Sequence, residues 1–208
     1  MYAEIEQFLT ARRSEFERIP QDRQRELQEL GTYVAESLRT AGRCQLTFIC
    51  THNSRRSHLS QIWARVAADA CGLSNVETFS GGTEATAMNA RVVDSLRRTG
   101  FQIAADNANA DNPLYDVRYG DDSAPLRCFS KVYDQPPNPT SQFAAVMTCS
   151  SADQACPIVS ECELRAPIRY EDPKAADDMP NEARVYDERS AQICREMLFA
   201  MQHAASLV

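Results

Sequence analysis

Eight consecutive residues, Cys50-Thr51-His52-Asn53-Ser54-Arg55-Arg56-Ser57, combine a thiol, two guanidinium groups and three hydroxyls. A cysteine acts as a nucleophile in its thiolate form, and an arginine six residues later can offer a planar fork to two oxygens of an anion. If the run is a loop entering a helix, its backbone N–H groups and the helix dipole converge on one spot. Negative charge is favoured there, on the sulfur as on a bound anion. A tetrahedral oxyanion suits such a cradle. Cys50 is therefore the candidate nucleophile, Arg56 the anion clamp and Ser57 a hydroxyl partner for the sulfur, with Thr51, His52, Asn53, Ser54 and Arg55 completing the oxyanion-binding loop. Two plainer readings stand beside this one: a packed Cys50 next to solvent-facing arginines, and an Arg55 that is merely solvated at the rim.

The flanking segments are those that would build the loop. Leu46-Thr47-Phe48-Ile49 is an apolar, β-branched run suited to a buried central strand, and Ser57 to Cys71 carries Leu59, Ile62, Val66 and Ala70 on one helical face before Gly72. In an open parallel sheet, ligands bind at the carboxyl ends of the strands, which is where Cys50 falls. Val76–Phe79 reads as a second strand, followed by the turn Ser80-Gly81-Gly82, and residues 89–98 as a helix ended by Gly100. Phe143–Met147 and Arg165–Tyr170 supply two more strands, and a last helix over about 181–203 aligns Ile193, Met197 and Met201. Strands alternating with helices predict an α/β fold: a three-layer αβα sandwich around a small, mostly parallel four-stranded sheet.

Two regions lie outside that alternation. Residues 1–42 read as an N-terminal helical extension, with Ile5, Phe8 and Leu9, then Phe16 and Ile19, at helical spacing; Pro20 interrupts, and Leu27, Leu30, Val34 and Leu38 resume the pattern up to Gly42. The catalytic unit is then 43–208, with an insertion at about 105–141. That stretch is rich in Asn, Asp and Pro, and Leu126–Lys131 is its candidate strand.

Composition narrows the partners. With 208 residues, 43% hydrophobic and 25% charged, the chain is an ordinary globular one. Its 22 Lys+Arg against 29 Asp+Glu give a net charge of −7, which argues against nucleic acid, whose phosphates need clustered cations. No apolar run approaches the roughly 20 residues that span a bilayer, and the start of the chain lacks the apolar core of a secretory signal. No membrane association is expected, and the expected compartment is the cytoplasm. Eight cysteines in a reducing compartment point to packing, metal binding or thiol chemistry rather than disulfide staples.

The Cys-x5-Arg-Ser loop after a first strand resembles that of the low-molecular-weight protein tyrosine phosphatases, and more closely that of their thioredoxin-coupled arsenate reductase relatives. The likeness spans about residues 44–203 and rests on two further segments. Cys149 and Cys156, in Thr148-Cys149-Ser150-Ser151-Ala152-Asp153-Gln154-Ala155-Cys156-Pro157, match the spacing of the reductases' redox pair. Asp172-Pro173 matches the Asp-Pro pair that carries the family's general acid, which protonates a leaving group. Glu171 competes for that role, and Asp177 and Asp178 read as solvated loop charges. A zinc reading of Cys149, Cys156 and Cys162 lacks a C-x2-C pair and a nearby histidine. Two departures stand out: His52 where the family usually has glycine, and Arg55 where the phosphatases carry a second loop cysteine. Tyr115, Tyr119 or Tyr133 could face an aromatic substrate. His58 and His203 read as packing or surface histidines, Cys44, Cys71 and Cys194 as packing thiols, and Cys128 has no assigned role.

The resemblance implies a catalytic set of Cys50, Arg56, Asp172, Cys149 and Cys156, with no metal and no cofactor. Its substrate is arsenate or a phosphate ester, and its reductant a thioredoxin-like protein. Arsenate reduction uses all three cysteines in sequence. Phosphatase action needs only Cys50, Arg56 and Asp172, through a phosphocysteine. A third reading is an oxyanion or phosphoprotein sensor that performs no chemistry.

Overall fold

The computed structural model describes residues 1–155 and 159–208. The chain opens with α1 (Ala3–Arg13), a 3-10 turn (Phe16–Arg18) and α2 (Gln21–Ala41), with Pro20 ending one segment and starting the next. Then follow β1 (Cys44–Cys50), α3 (Arg56–Ala70), β2 (Val76–Gly82) and α4 (Ala90–Arg98), the last capped by the Asn89 side chain accepting from the Arg91 amide. Three short strands, β3 (Gln102–Ala105), β4 (Tyr115–Arg118) and β5 (Leu126–Cys128), precede β6 (Phe143–Met147) and α5 (Ser150–Ala155). The chain closes with β7 (Cys162–Ala166), a second 3-10 turn (Pro173–Ala176) and α6 (Glu182–Ala205).

The main sheet has the order β2-β1-β6-β7, every pair parallel. Its central strands are apolar on both faces because both faces are covered. Leu46, Phe48, Ala144 and Val146 point to the large core, shared with α2, α3 and α6; Ile49, Ala145 and Met147 point to a smaller cluster closed by Ala152 of α5 and by Val159. This is the expected α/β architecture with helices on both faces, though unequally.

Two expectations shift. The fourth strand runs Cys162–Ala166, not Arg165–Tyr170; beyond it the chain stays extended enough for the Tyr170 amide to donate to Thr148 O at 3.0 Å. Ile168 and Tyr170 are buried after the strand has ended, which is why their apolar signal lay too late. The stretch assigned to the insertion carries a separate antiparallel sheet, β3-β4-β5, whose first strand begins earlier, at Gln102.

The first two helices are built into the main core. Ile5, Leu9, Leu27, Leu30 and Val34 are buried in it, and the Phe8 ring stacks on Trp63 at 5.3 Å. Gly31 is the point where α2 meets α6: a Cβ there would lie 2.5 Å from Ala200 O. No helix among the described residues is long and apolar enough to cross a membrane.

Candidate active site

Cys50 ends β1 and Arg56 begins α3, so residues 51–55 form a strand-to-helix loop at the carboxyl edge of the sheet. The loop's carbonyls are drawn outward. Cys50 O accepts from the Thr83 amide at 3.1 Å, Thr51 O from the Glu84 amide at 2.8 Å and Ser54 O from the Asn89 amide at 2.9 Å. His52 O accepts from the hydroxyls of Thr86 and Ser130, at 2.9 and 3.1 Å. The amides of residues 52–57 donate to no main-chain carbonyl among the described residues. With these oxygens tied to neighbouring segments and the amides left without main-chain acceptors, the loop meets a requirement of an anion cradle.

Asn53 holds the loop in this shape. It carries the left-handed backbone, φ 44°, that the sequence reading sought at His52. An Asn tolerates that region better than most residues, so glycine is not required there. Its side chain donates to Ser57 Oγ at 2.9 Å and accepts from the Lys131 amide at 2.9 Å; Ser57 Oγ in turn lies 3.1 Å from Cys50 Sγ. Gly82 makes the floor, because a Cβ there would come within 2.2 Å of Glu84 O and 2.7 Å of Thr51 O and of the Asn53 amide. His52 is exposed at the rim, 4.0 Å from Glu84. His58 and Lys131 are buried beneath the loop. Burial brings His58 down to about 3, with the Lys131 charge adding to it, and brings Lys131 down to about 8.

One wall of the site is ionic. Arg56 donates from Nη2 to Asp172 Oδ2 at 2.6 Å and from Nη1 to Tyr170 O at 3.1 Å; its buried Nε–H has no partner among the described residues. Asp172 also caps the turn Pro173–Ala176, accepting from the Lys174 amide at 3.1 Å. The Arg55 guanidinium is neither solvated nor turned to the anion cradle. It donates to Tyr186 OH at 2.7 Å and to Asp177 Oδ2 at 2.8 Å, and Tyr186 OH donates to Asp177 Oδ1 at 2.6 Å. Burial opposes the Arg55 charge, but Tyr186 and the Asp177 and Asp172 carboxylates raise its pKa above the ordinary value. Burial, then Asp177, pushes Tyr186 up to about 12, so it stays a neutral donor. Asp177 is thus no solvated loop charge; Asp178 is exposed, paired with Arg91 at 2.6 Å.

A second wall is apolar and carries the second thiol. Cys149 follows β6, the neighbour of β1, and is buried in the same small cluster as Cys50. Its Sγ lies 3.6 Å from Thr51 Oγ1 and accepts from the Ala152 amide at 3.3 Å, capping α5. Cys156 lies outside the described residues. Cys162 begins β7 beside Phe143, at the amino end of the sheet, and no three His, Cys, Asp or Glu side chains gather as a metal site among the described residues. Burial raises the pKa of Cys44, Cys71, Cys128, Cys162 and Cys194, which keeps their protons on.

No family model matches the chain. Arsenate reductases from two strains of Staphylococcus epidermidis are 27% identical to it over 128 residues, 61% of this chain and 76% of those proteins. In sequence, the chain is similar to arsenate reductases. The crystal structure of a YwlE mutant from Bacillus subtilis superposes with a TM-score of 0.53 at 14% identity, over 76% of this chain and 97% of that one, a likeness of fold. A low-molecular-weight phosphotyrosine phosphatase from Vibrio cholerae gives a weaker one, TM-score 0.47 at 14% identity over 76% and 93%. The arsenate reductase likeness read from three separated motifs therefore recurs in an alignment over most of the relatives' length.

Sequence reasoning missed Gly82, Lys131, Asp177 and Tyr186. Gly82 had a signal in the Gly-Gly pair that ends β2, where a second loop must lie close. For Asp177 and Tyr186 the signal was Arg55 itself, since an arginine beside a loop of amide donors needs its own acceptors; Lys131 had no such signal.

Proposed function

We propose that the protein is a thiol-dependent arsenate reductase. The Cys50 thiolate attacks arsenic in arsenate held by the loop amides and Arg56, forming an S–As bond. Asp172 gives its proton to the departing oxygen, which leaves as water. The Cys149 thiolate then attacks the Cys50 sulfur. An S–S bond forms, the S–As bond breaks, and its electron pair leaves on arsenic as arsenite, reduced from As(V) to As(III). Cys156 displaces Cys50 from that disulfide, and a thioredoxin-like dithiol reduces the resulting Cys149–Cys156 bond.

The observation that carries this reading is the 3.6 Å contact of Cys149 Sγ with Thr51, the residue after the nucleophile. Arg56 Nε–H, buried and unpartnered, is the donor left open for an anion oxygen. Mass spectrometry after one arsenate turnover without reductant is expected to find a Cys149–Cys156 disulfide. Cys149→Ser is expected to abolish arsenate turnover while aryl phosphate hydrolysis persists. If the wild type does not turn over arsenate with thioredoxin present, the reductase reading fails.

A second reading is a phosphomonoester hydrolase. It is favoured by the Arg56–Asp172 pair at 2.6 Å, which assembles clamp and acid without either relay thiol. Binding of phosphate with cleavage of nothing would leave only the sensor.

A further inference from the structure

Consecutive arginines of the oxyanion loop grip the two ends of one turn. Arg56 holds Asp172, the residue before Pro173–Ala176, and Arg55 holds Asp177, the residue after it. A third arginine, Arg91 of α4, reaches Asp178 at 2.6 Å and Glu182 at 2.6 Å. Three carboxylates in a seven-residue stretch, Asp172, Asp177 and Asp178, thus each meet a guanidinium from another element.

The two grips differ in what they must do. Arg56 has two tasks, because the hand that holds Asp172 is also the clamp for the oxyanion. A doubly charged anion bound in the loop would compete with Asp172 for the Arg56 guanidinium. Asp172 must nonetheless stay above the leaving oxygen to deliver a proton, since a misplacement of about 1 Å costs on the order of a hundredfold in rate. Arg55 has no second task. Its Nε and Nη2 are both committed, to Tyr186 and Asp177, and those partners also bond each other, which closes a ring between loop, turn and α6. The side chain is mostly buried, 13% exposed, where such a pair is screened less than at a surface.

We propose that Arg55 is a positioning residue: through Asp177 it straps the acid-bearing turn to the oxyanion loop, so that Asp172 keeps its place while Arg56 exchanges Asp172 for substrate. This rests on the reading of Asp172 as proton donor in the function proposed above.

The test uses the full chain, wild type and Arg55→Met, in two measurements. Hydrogen–deuterium exchange of the 174–179 amides is expected to accelerate about tenfold in the variant, with α2 unchanged, because a local tie rather than the fold has been cut. In steady state, phenyl phosphate has a poor leaving group and needs the acid, whereas p-nitrophenyl phosphate has a good one and needs it little. The ratio of kcat for the nitrophenyl ester over the phenyl ester is expected to rise about fivefold or more. Arg55→Lys restores part of both. The double variant R55M/D177N is no worse than Asp177→Asn alone, since both remove one tie. Unchanged exchange in the turn overturns the strap. Accelerated exchange with both esters slowed equally overturns the positioning role and leaves a structural one. A wild type that hydrolyses neither ester and reduces no arsenate ends the functional reading instead, on a measurement made before any variant.

Discussion

Asp172 is held through a chain of charged hydrogen bonds, with Arg55, Arg56 and Arg91 each reaching a carboxylate on the turn or at the start of α6. Cys149, by contrast, sits among Phe143, Ala145, Met147 and Ala152, tied by one hydroxyl contact and one amide. Charged hydrogen bonds are directional and fix an angle; apolar contact is non-directional and permits sliding. A proton donor needs the first, because its transfer depends on aim. A thiol that must leave a helix cap to meet another sulfur is served by the second. Under the proposed function, the two walls would suit a site that is stiff where charge is managed and yielding where a disulfide has to form.

The sharpest way to break this contrast is Asp172→Asn. Phenyl phosphate hydrolysis is expected to fall by about 10²–10⁴-fold, the usual worth of a placed general acid. Disulfide formation between Cys50 and Cys149 under diamide should be unchanged in mass spectra of the variant; a slower rate would mean that the walls are coupled. Gly82→Ala attacks the floor common to both. Its Cβ displaces the loop at Thr51 and Asn53, and ester hydrolysis and arsenate turnover are expected to fall together by about a hundredfold. Loss of only one would show that the floor serves one wall.

The smallest effect concerns pH. The unfolded chain takes a proton on His58 near its ordinary value of 6.5, whereas the folded one, where burial disfavours the cation, does so only near 3. Between those values the unfolded state binds more protons, so this group's contribution is intact above pH 6.5 and is lost as pH falls. Urea midpoints measured from pH 7 to pH 4 are expected to decline, and less steeply in His58→Asn.

Much of this was legible in the chain itself. β1, β6 and the helix after the loop announce themselves because their apolar residues are buried on a face whose period matches the element. β7 was displaced because an edge strand buries little of itself, with Cys162 and Leu164 only partly covered, while the buried residues come later. Cys50, Arg56 and Asp172 were picked out by spacing and resemblance, and of these Arg56 and Asp172 meet, at 2.6 Å. The strap was not legible, because Arg55 and Tyr186 are 131 positions apart and only the fold makes them neighbours. Asp177, three-quarters or more covered, carries no local sign that it is anything but a loop charge.

The opening helices have a bearing on how the protein can be handled. Ile5, Leu9, Leu27, Leu30 and Val34 fill the same core as β1, and burying each such side chain is worth about 1.5–3 kcal/mol. Their combined loss would rival the roughly 5–15 kcal/mol that keeps a typical domain folded. Trimming toward a minimal enzyme from that end would strip Trp63 of the ring lying on it and leave one flank of α6 wet; any shortening has to begin elsewhere.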